Sequence, residues 1–103
     1  MPSYQVEGIG YDFVPKNCER DQVDEWVKIA DPESFRTARA LLKDEGLLCG
    51  GTTGSTVAAA IQYIKDNGLQ DREDLRFVCI GADSIRNYMT KVTLFLSYKL
   101  AFE

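Results

Sequence analysis

The chain has 103 residues, enough for one domain with a single modest core. Its 45% hydrophobic and 27% charged residues are ordinary for a globular protein in water, and a net charge of −4 argues against a nucleic-acid or anionic-membrane surface as its main business. No apolar run reaches membrane-spanning length and the start "MPSYQVEGIG" lacks the regions of a signal peptide, so a cytoplasmic location is expected. Three widely spaced cysteines form neither a zinc pair nor a disulfide framework, and Cys49 and Cys79 sit in apolar runs as small hydrophobes. The absence of histidine removes the usual general base and the commonest metal or haem ligand, so no metal site is expected.

"YQVEGIGYDFVP" opens with a short strand-like run, then Gly8 and Gly10, and Pro15 ends it. "DQVDEWVKIAD" reads as a helical turn leading into a strand at about 25 to 29. A helix is expected over about 32 to 45, with Asp31 as cap, Pro32 in its first turn and Gly46 closing it. Its buried face is expected to hold Phe35, Ala38, Leu41 and Leu42. "LLC", 47 to 49, reads as a short buried strand.

A second helix follows the glycine loop, with Val57, Ala60, Ile61 and Ile64 as its buried stripe and Asn67-Gly68 as its stop. "LRFVCIG", 75 to 81, has the continuous apolar character of a parallel strand. The order of elements predicts an α/β fold, a partial parallel-sheet domain with flanking helices. The tail "VTLFLSYKLAFE", 92 to 103, alternates with a period of two and reads as a strand with one consistently apolar face.

"LLCGGTTGST", 47 to 56, is the stretch that points to function. A loop from the carboxyl end of a parallel strand into a helix lies where open α/β sheets bind ligands, and the helix start offers N–H groups and the positive end of its dipole. The same residues also suit a tight turn with a hydroxyl cap and no ligand. No lysine follows the glycines, so this is not a Walker loop, nor does it match the dinucleotide fingerprint.

"VEGIGYDFVP", "VDEWVKIAD", "ARALLKDEGLLCGGTTGSTVAAA" and "DSIRNYMTK", in this order, closely resemble the C-terminal part of the catalytic domain in the cystathionine β-synthase family. These are pyridoxal-phosphate (PLP) enzymes of the tryptophan-synthase-β fold type. The resemblance runs from about Tyr4 to Lys91, so residues 1–91 are expected to form a portion of that domain and 92–103 a divergent tail. Cysteine synthases share "EGLL" and a similar loop, but "GYDF" and "SIRNYMTK" favour the first family.

The resemblance implies a role for each matched residue. Thr52 would hydrogen-bond the pyridine nitrogen of PLP, with Gly50 and Gly51 beside the cofactor. A hydroxyl does not protonate that nitrogen as a carboxylate would, so the ring is a weaker electron sink, which suits β-elimination over transamination. Gly10 and Tyr11 match the family's active-site glycine and tyrosine. Asp83 and Ser84 match a turn beside the pyridine ring, although Ala82 stands where the family usually has proline.

The resemblance also places parts of the intact enzyme outside this chain: the lysine that binds PLP, an asparagine on the ring oxygen, the phosphate-gripping loop, any haem-binding extension and a regulatory nucleotide-binding pair. Lys16, Lys28, Lys43, Lys65, Lys91 and Lys99 fall on expected loops or polar faces, so none has the setting of a covalent catalyst. The expectation is one wall of a serine-plus-homocysteine β-replacement site, inactive alone, with an amino-acid substrate, no nucleic-acid or membrane partner and no haem. A non-enzymatic module pairing with a full-length subunit through an exposed sheet edge, a cysteine-synthase-type segment, and a small anion-binding domain at the helix start by Gly54 are the other readings.

Overall fold

The protein was analysed as a computed structural model that describes Val6, Ile9, residues 13 to 86, and Tyr88. Most of the strand-like opening, Gly10, Tyr11, Lys91, Lys99 and the whole tail from 92 to 103 lie outside the described residues. A 3₁₀ turn, Arg20–Gln22, precedes α1, Asp31–Glu45, and α2, Gly51–Asp66. Past the first turn, the Arg20 guanidinium sits 5.8 Å from the centre of the Trp26 ring, within cation–π range.

Helix α1 begins one residue earlier than expected, and its cap differs. Ala30 is the N-cap residue and supplies no side-chain bond. Asp31 is already helical, and its carboxylate accepts from the Val6 amide at 3.3 Å. Ser34 instead turns its hydroxyl back to the Ala30 carbonyl at 3.0 Å. The far end follows expectation: Gly46 has φ +68°, a left-handed conformation that costs glycine no Cβ clash. Its amide and that of Leu47 both donate to the Leu41 carbonyl.

The glycine run is not a loop. Helix α2 starts at Gly51, so Thr52, Thr53, Gly54 and Ser55 form its first turn. This moves the buried surface. Gly51, Thr53, Gly54 and Ser55 are buried, whereas Ile61, expected on the apolar stripe, is exposed. The helices meet through small residues: a Cβ on Gly54 would collide with the Ser34 carbonyl oxygen and lie 2.9 Å from the Ala38 Cβ.

Beside that contact the Ser34 and Ser55 hydroxyls are 2.6 Å apart, and Ser55 also reaches the Gly51 carbonyl at 3.1 Å. With one proton each, the two hydroxyls share these contacts and that of Ser34 to Ala30, two donated bonds at a time. Buried hydroxyls are tolerated when bonded in this way. The core holds Val6, Phe35, Ala38, Cys49 and Tyr88, with Leu41 and Ile85 against it. Phe35 meets Tyr88 edge to face, with ring centroids 5.8 Å apart at 74°.

The parallel sheet is the expectation that the structure does not bear out. Among the described residues no strand forms at 25–29, 47–49 or 75–81; the ladder is reduced to one antiparallel bridge between Cys49 and Ser84. Strand hydropathy specifies a buried environment, but a ladder requires a neighbouring backbone, and these runs have none beyond that bridge. Their large side chains face outward: Val78 is 87% and Ile80 71% exposed, and Leu47, Leu48 and Phe77 are exposed as well.

Gly54→Ala gives a clean test of the helix contact. In an exposed helix that change stabilises by up to about 1 kcal/mol. Here the added methyl must push α1 away, so urea denaturation is expected to show a loss of about 1–3 kcal/mol instead.

Candidate functional site

The N-terminus of α2 is built from two chain segments. Gly50 is the N-cap residue and makes no side-chain cap bond. The missing cap arrives from Asp83. Its Oδ2 accepts from the Thr52 amide at 3.0 Å, and its Oδ1 accepts from the Thr53 amide at 2.9 Å and the Thr53 hydroxyl at 2.6 Å. The Asp83 backbone carbonyl lies within 3.2 Å of the same hydroxyl and accepts from the Gly50 amide at 3.3 Å. The Ile85 amide donates to the Leu48 carbonyl at 3.1 Å, extending the attachment.

Such an arrangement stabilises in two ways: charge-assisted hydrogen bonds satisfy the orphan amides of the first turn, and a negative charge sits at the positive end of the helix. Burial on its own would raise the Asp83 carboxyl. The Thr53 hydroxyl and amide, the Thr52 amide and the Tyr88 hydroxyl outweigh it and hold the group below the ordinary carboxylate range. Cys49, next to the site, is shifted the other way: burial pushes its thiol up, and the Asp83 charge adds to that.

The glycines therefore have an internal reason to be glycine. A Cβ on Gly50 would collide with the Asp83 carboxylate and lie 2.7 Å from the Tyr88 ring; one on Gly51 would lie 3.1 Å from that ring. Tyr88 and Asp83 cover the surface that the sequence assigned to a ligand. An anion at this helix start is likewise supplied by the protein itself, and the Gly54 amide is committed to the Gly50 carbonyl at 3.2 Å. That removes the basis for a phosphate-binding domain at Gly54.

What stays open is the neighbouring face of α2. Thr52 is half-buried. One turn further along the same face, Ser55 and Thr56 line a crevice of about 520 Å³ whose other lining includes Ile9, Trp26, Val27, Lys28 and Ile29. The Thr56 hydroxyl is turned to the Thr52 carbonyl at 3.0 Å, and that of Ser55 is engaged as described, so the polar floor is ordered. Trp26 and Val27 were read as strand residues; their place in the wall of a crevice had no local signal in the sequence. A second hollow of about 350 Å³ between α1 and α2 carries Glu33 and Asp66 against Arg36 and Lys65, with no excess of either charge to select a ligand.

Of the residues singled out in the sequence, Thr52, Gly50, Gly51 and Asp83 come together at one helix end, whereas Gly10 and Tyr11 lie outside the described residues. Ile9, beside Gly10, reaches the crevice wall. For a pyridine ring the residues present offer Thr52, one turn from a crevice that has Trp26 in its wall. They do not offer the ring's phosphate a place at α2, because the Thr52 and Thr53 amides are already bonded to Asp83.

Comparison with known proteins finds relatives over most of this chain. The chain is similar to a cystathionine beta-synthase of Dictyostelium discoideum, 54% identical over 89 residues, which are 86% of this chain and 17% of that protein. It is similar to the cystathionine beta-synthase of Oryctolagus cuniculus at 51% identity over 91 residues, 88% of this chain and 16% of that one. A cysteine synthase of Buchnera aphidicola is more distant, 28% identical over 96 residues, 93% of this chain and 29% of that protein. No family model matches the chain. The chain is thus a homologue of one segment of cystathionine beta-synthase and spans about a sixth of the length of those relatives.

Asp83 makes stability depend on acid in a defined direction. Its carboxyl is depressed in the folded chain, so its contribution is complete above the ordinary carboxylate pKa of about 3.9 and is lost as pH falls toward the folded value. Urea unfolding at pH 6 and pH 3 should show a larger acid-induced loss for the natural chain than for Asp83→Asn. At pH 6 that variant should itself be less stable by about 1–2 kcal/mol, the usual cost of losing a helix cap.

Proposed function

We propose that this homologue of one cystathionine beta-synthase segment supplies the ring-nitrogen side of a PLP site for β-replacement, joining serine and homocysteine into cystathionine with release of water. The observation that carries the reading is the position of Thr52: a half-buried hydroxyl residue in the first turn of α2, one turn from a crevice with a polar floor. When bound, PLP supplies the electron sink that lets the substrate's β-substituent leave. Thr52 orients the ring by a neutral hydrogen bond at its nitrogen and leaves that nitrogen without the full proton a carboxylate would impose. Gly50 and Gly51 allow Tyr88 and Asp83 to lock the helix end beneath it. By the family resemblance, Tyr11 and Gly10 face the substrate.

The relatives' greater length supports a further part of the proposal. The runs 47–49 and 75–81 become strands of a parallel sheet when the remainder of a catalytic domain lies beside them, covering Leu48, Val78 and Ile80. In this reading the lysine that carries PLP belongs to that remainder, and the partner of this chain is such a polypeptide in the cytoplasm. Similarity favours the cystathionine-forming reaction over the cysteine-synthase type: 51–54% identity against 28%.

The test combines the chain with the lysine-bearing remainder of a homologous enzyme. PLP and borohydride applied to the 103-residue chain alone should leave all six lysines unmodified by mass spectrometry. The same treatment of the reconstituted pair should fix cofactor on the remainder's lysine. Thr52→Ala should then weaken cofactor retention about tenfold, the value of one hydrogen bond. Stoichiometric fixation on a lysine of this chain alone, or reconstitution indifferent to Thr52, would overturn the proposal.

A further inference from the structure

We propose that the crevice between α2 and the 26–29 run binds a small apolar carboxylate, a plain carboxylic acid whose chain fills the crevice and whose charged end meets Lys28. The proposal goes beyond the cofactor reading and does not depend on it, since it uses neither Thr52 nor the glycines and Asp83 around the start of α2. Three observations carry it.

First, the crevice has the size and the lining for an apolar chain. Its volume of about 520 Å³ is within the range that takes a small organic ligand. Ile9, Trp26, Val27, Ile29 and Ala59 make most of its described walls apolar. Trp26 leaves 62% and Val27 41% of its surface open to solvent, and an apolar chain laid against them removes some of that surface from water. Second, its charge selects an anion. The chain as a whole carries −4, yet the one charged residue among the described lining is Lys28. Lys28 is exposed, and the ion pair found among the described residues joins Arg72 to Asp74, so the Lys28 ammonium is available to an incoming anion. One ammonium matches one negative charge, whereas a phosphate group needs several donors to be held.

Third, the hydroxyls of the floor are turned inward. Thr56 donates to the Thr52 carbonyl at 3.0 Å, and the single proton of Ser55 goes to the Gly51 carbonyl or to the Ser34 hydroxyl. Both hydroxyls therefore present acceptor lone pairs to the crevice. The side-chain donors left among the described lining are the Lys28 ammonium and the Trp26 indole N–H, two residues apart on the same wall. A carboxylate consequently belongs on the 26–29 side, with the apolar chain running toward Ala59. The Arg20 guanidinium, 5.8 Å from the centre of the Trp26 ring, adds a second positive charge near that wall.

Trp26 is the one tryptophan of the chain, so its fluorescence reports on the crevice directly. The 103-residue chain, without PLP, is titrated with octanoate, with octanol, and with 2-aminooctanoate, which sets an ammonium beside the same carboxylate. Octanoate should change the Trp26 emission saturably, with a dissociation constant of about 1 mM, the scale set by its size. Octanol and 2-aminooctanoate should each bind about fivefold more weakly, the first for want of a charge and the second because its ammonium is repelled by Lys28. Lys28→Gln, at an exposed side chain, should bring octanoate down to the octanol value, and Lys28→Arg should keep the natural affinity. Ala59→Phe, which fills the crevice, should remove the response; if that variant does not fold, the two Lys28 variants decide alone. An absent or unsaturable octanoate response, equal binding of octanol, equal or tighter binding of 2-aminooctanoate, indifference to Lys28→Gln, or binding that survives Ala59→Phe would each overturn the proposal.

Discussion

The fold depends on a carboxylate meeting a helix end that has no cap of its own. Helix α2 begins at Gly51 behind a glycine N-cap, so its first amides would be left without partners. Asp83 takes the Thr52 and Thr53 amides, and in doing so fastens the 83–88 segment across the start of α2. That fastening delivers Tyr88 onto Phe35 of α1 and closes the core. One charged side chain thereby links both helices and the last described segment.

This explains why a run of glycines and threonines stands where a ligand was expected. The glycines create the space into which Asp83 and Tyr88 fit, and Thr53 is a donor to Asp83. Thr52 and Thr56 keep half-buried positions on the neighbouring face, where Thr56 and Ser55 line the crevice. Adjacent residues of one helical turn thus differ: Thr53 is buried against Asp83, while Thr52 stays half-buried. The helix start gains rigidity, because it is fastened to Asp83 by short hydrogen bonds.

Much of this was legible in the sequence, and the parts that were not share a cause. The two helices could be read from their periodicity and from Gly46, because those signals are local. Asp31 misled as a cap because its carboxylate is used by the distant Val6 amide, and Ser34 took over the Ala30 carbonyl. The cap on α2 could not be read because it comes from residue 83, and no local pattern encodes a partner so far along the chain. The strands failed for a different reason. Hydropathy at 75–81 describes an environment, and that environment needs neighbouring strands absent among the described residues. Thr52 was singled out through the family motif; spacing alone left its role undecided between turn and site.

The meeting of α1 and α2 has an evolutionary consequence. Gly54 lies against the Ser34 carbonyl and Ala38, and the Ser34 hydroxyl is shared with Ser55. A larger residue at 54 requires α1 to retreat, and that retreat breaks the serine pair, leaving each hydroxyl only the carbonyl of its own helix. Replacing either serine alone also removes the pair. Positions 34, 38, 54 and 55 consequently cannot drift one at a time; among descendants of this chain they should change as a coupled set, passing together from the small polar solution to a bulkier apolar one.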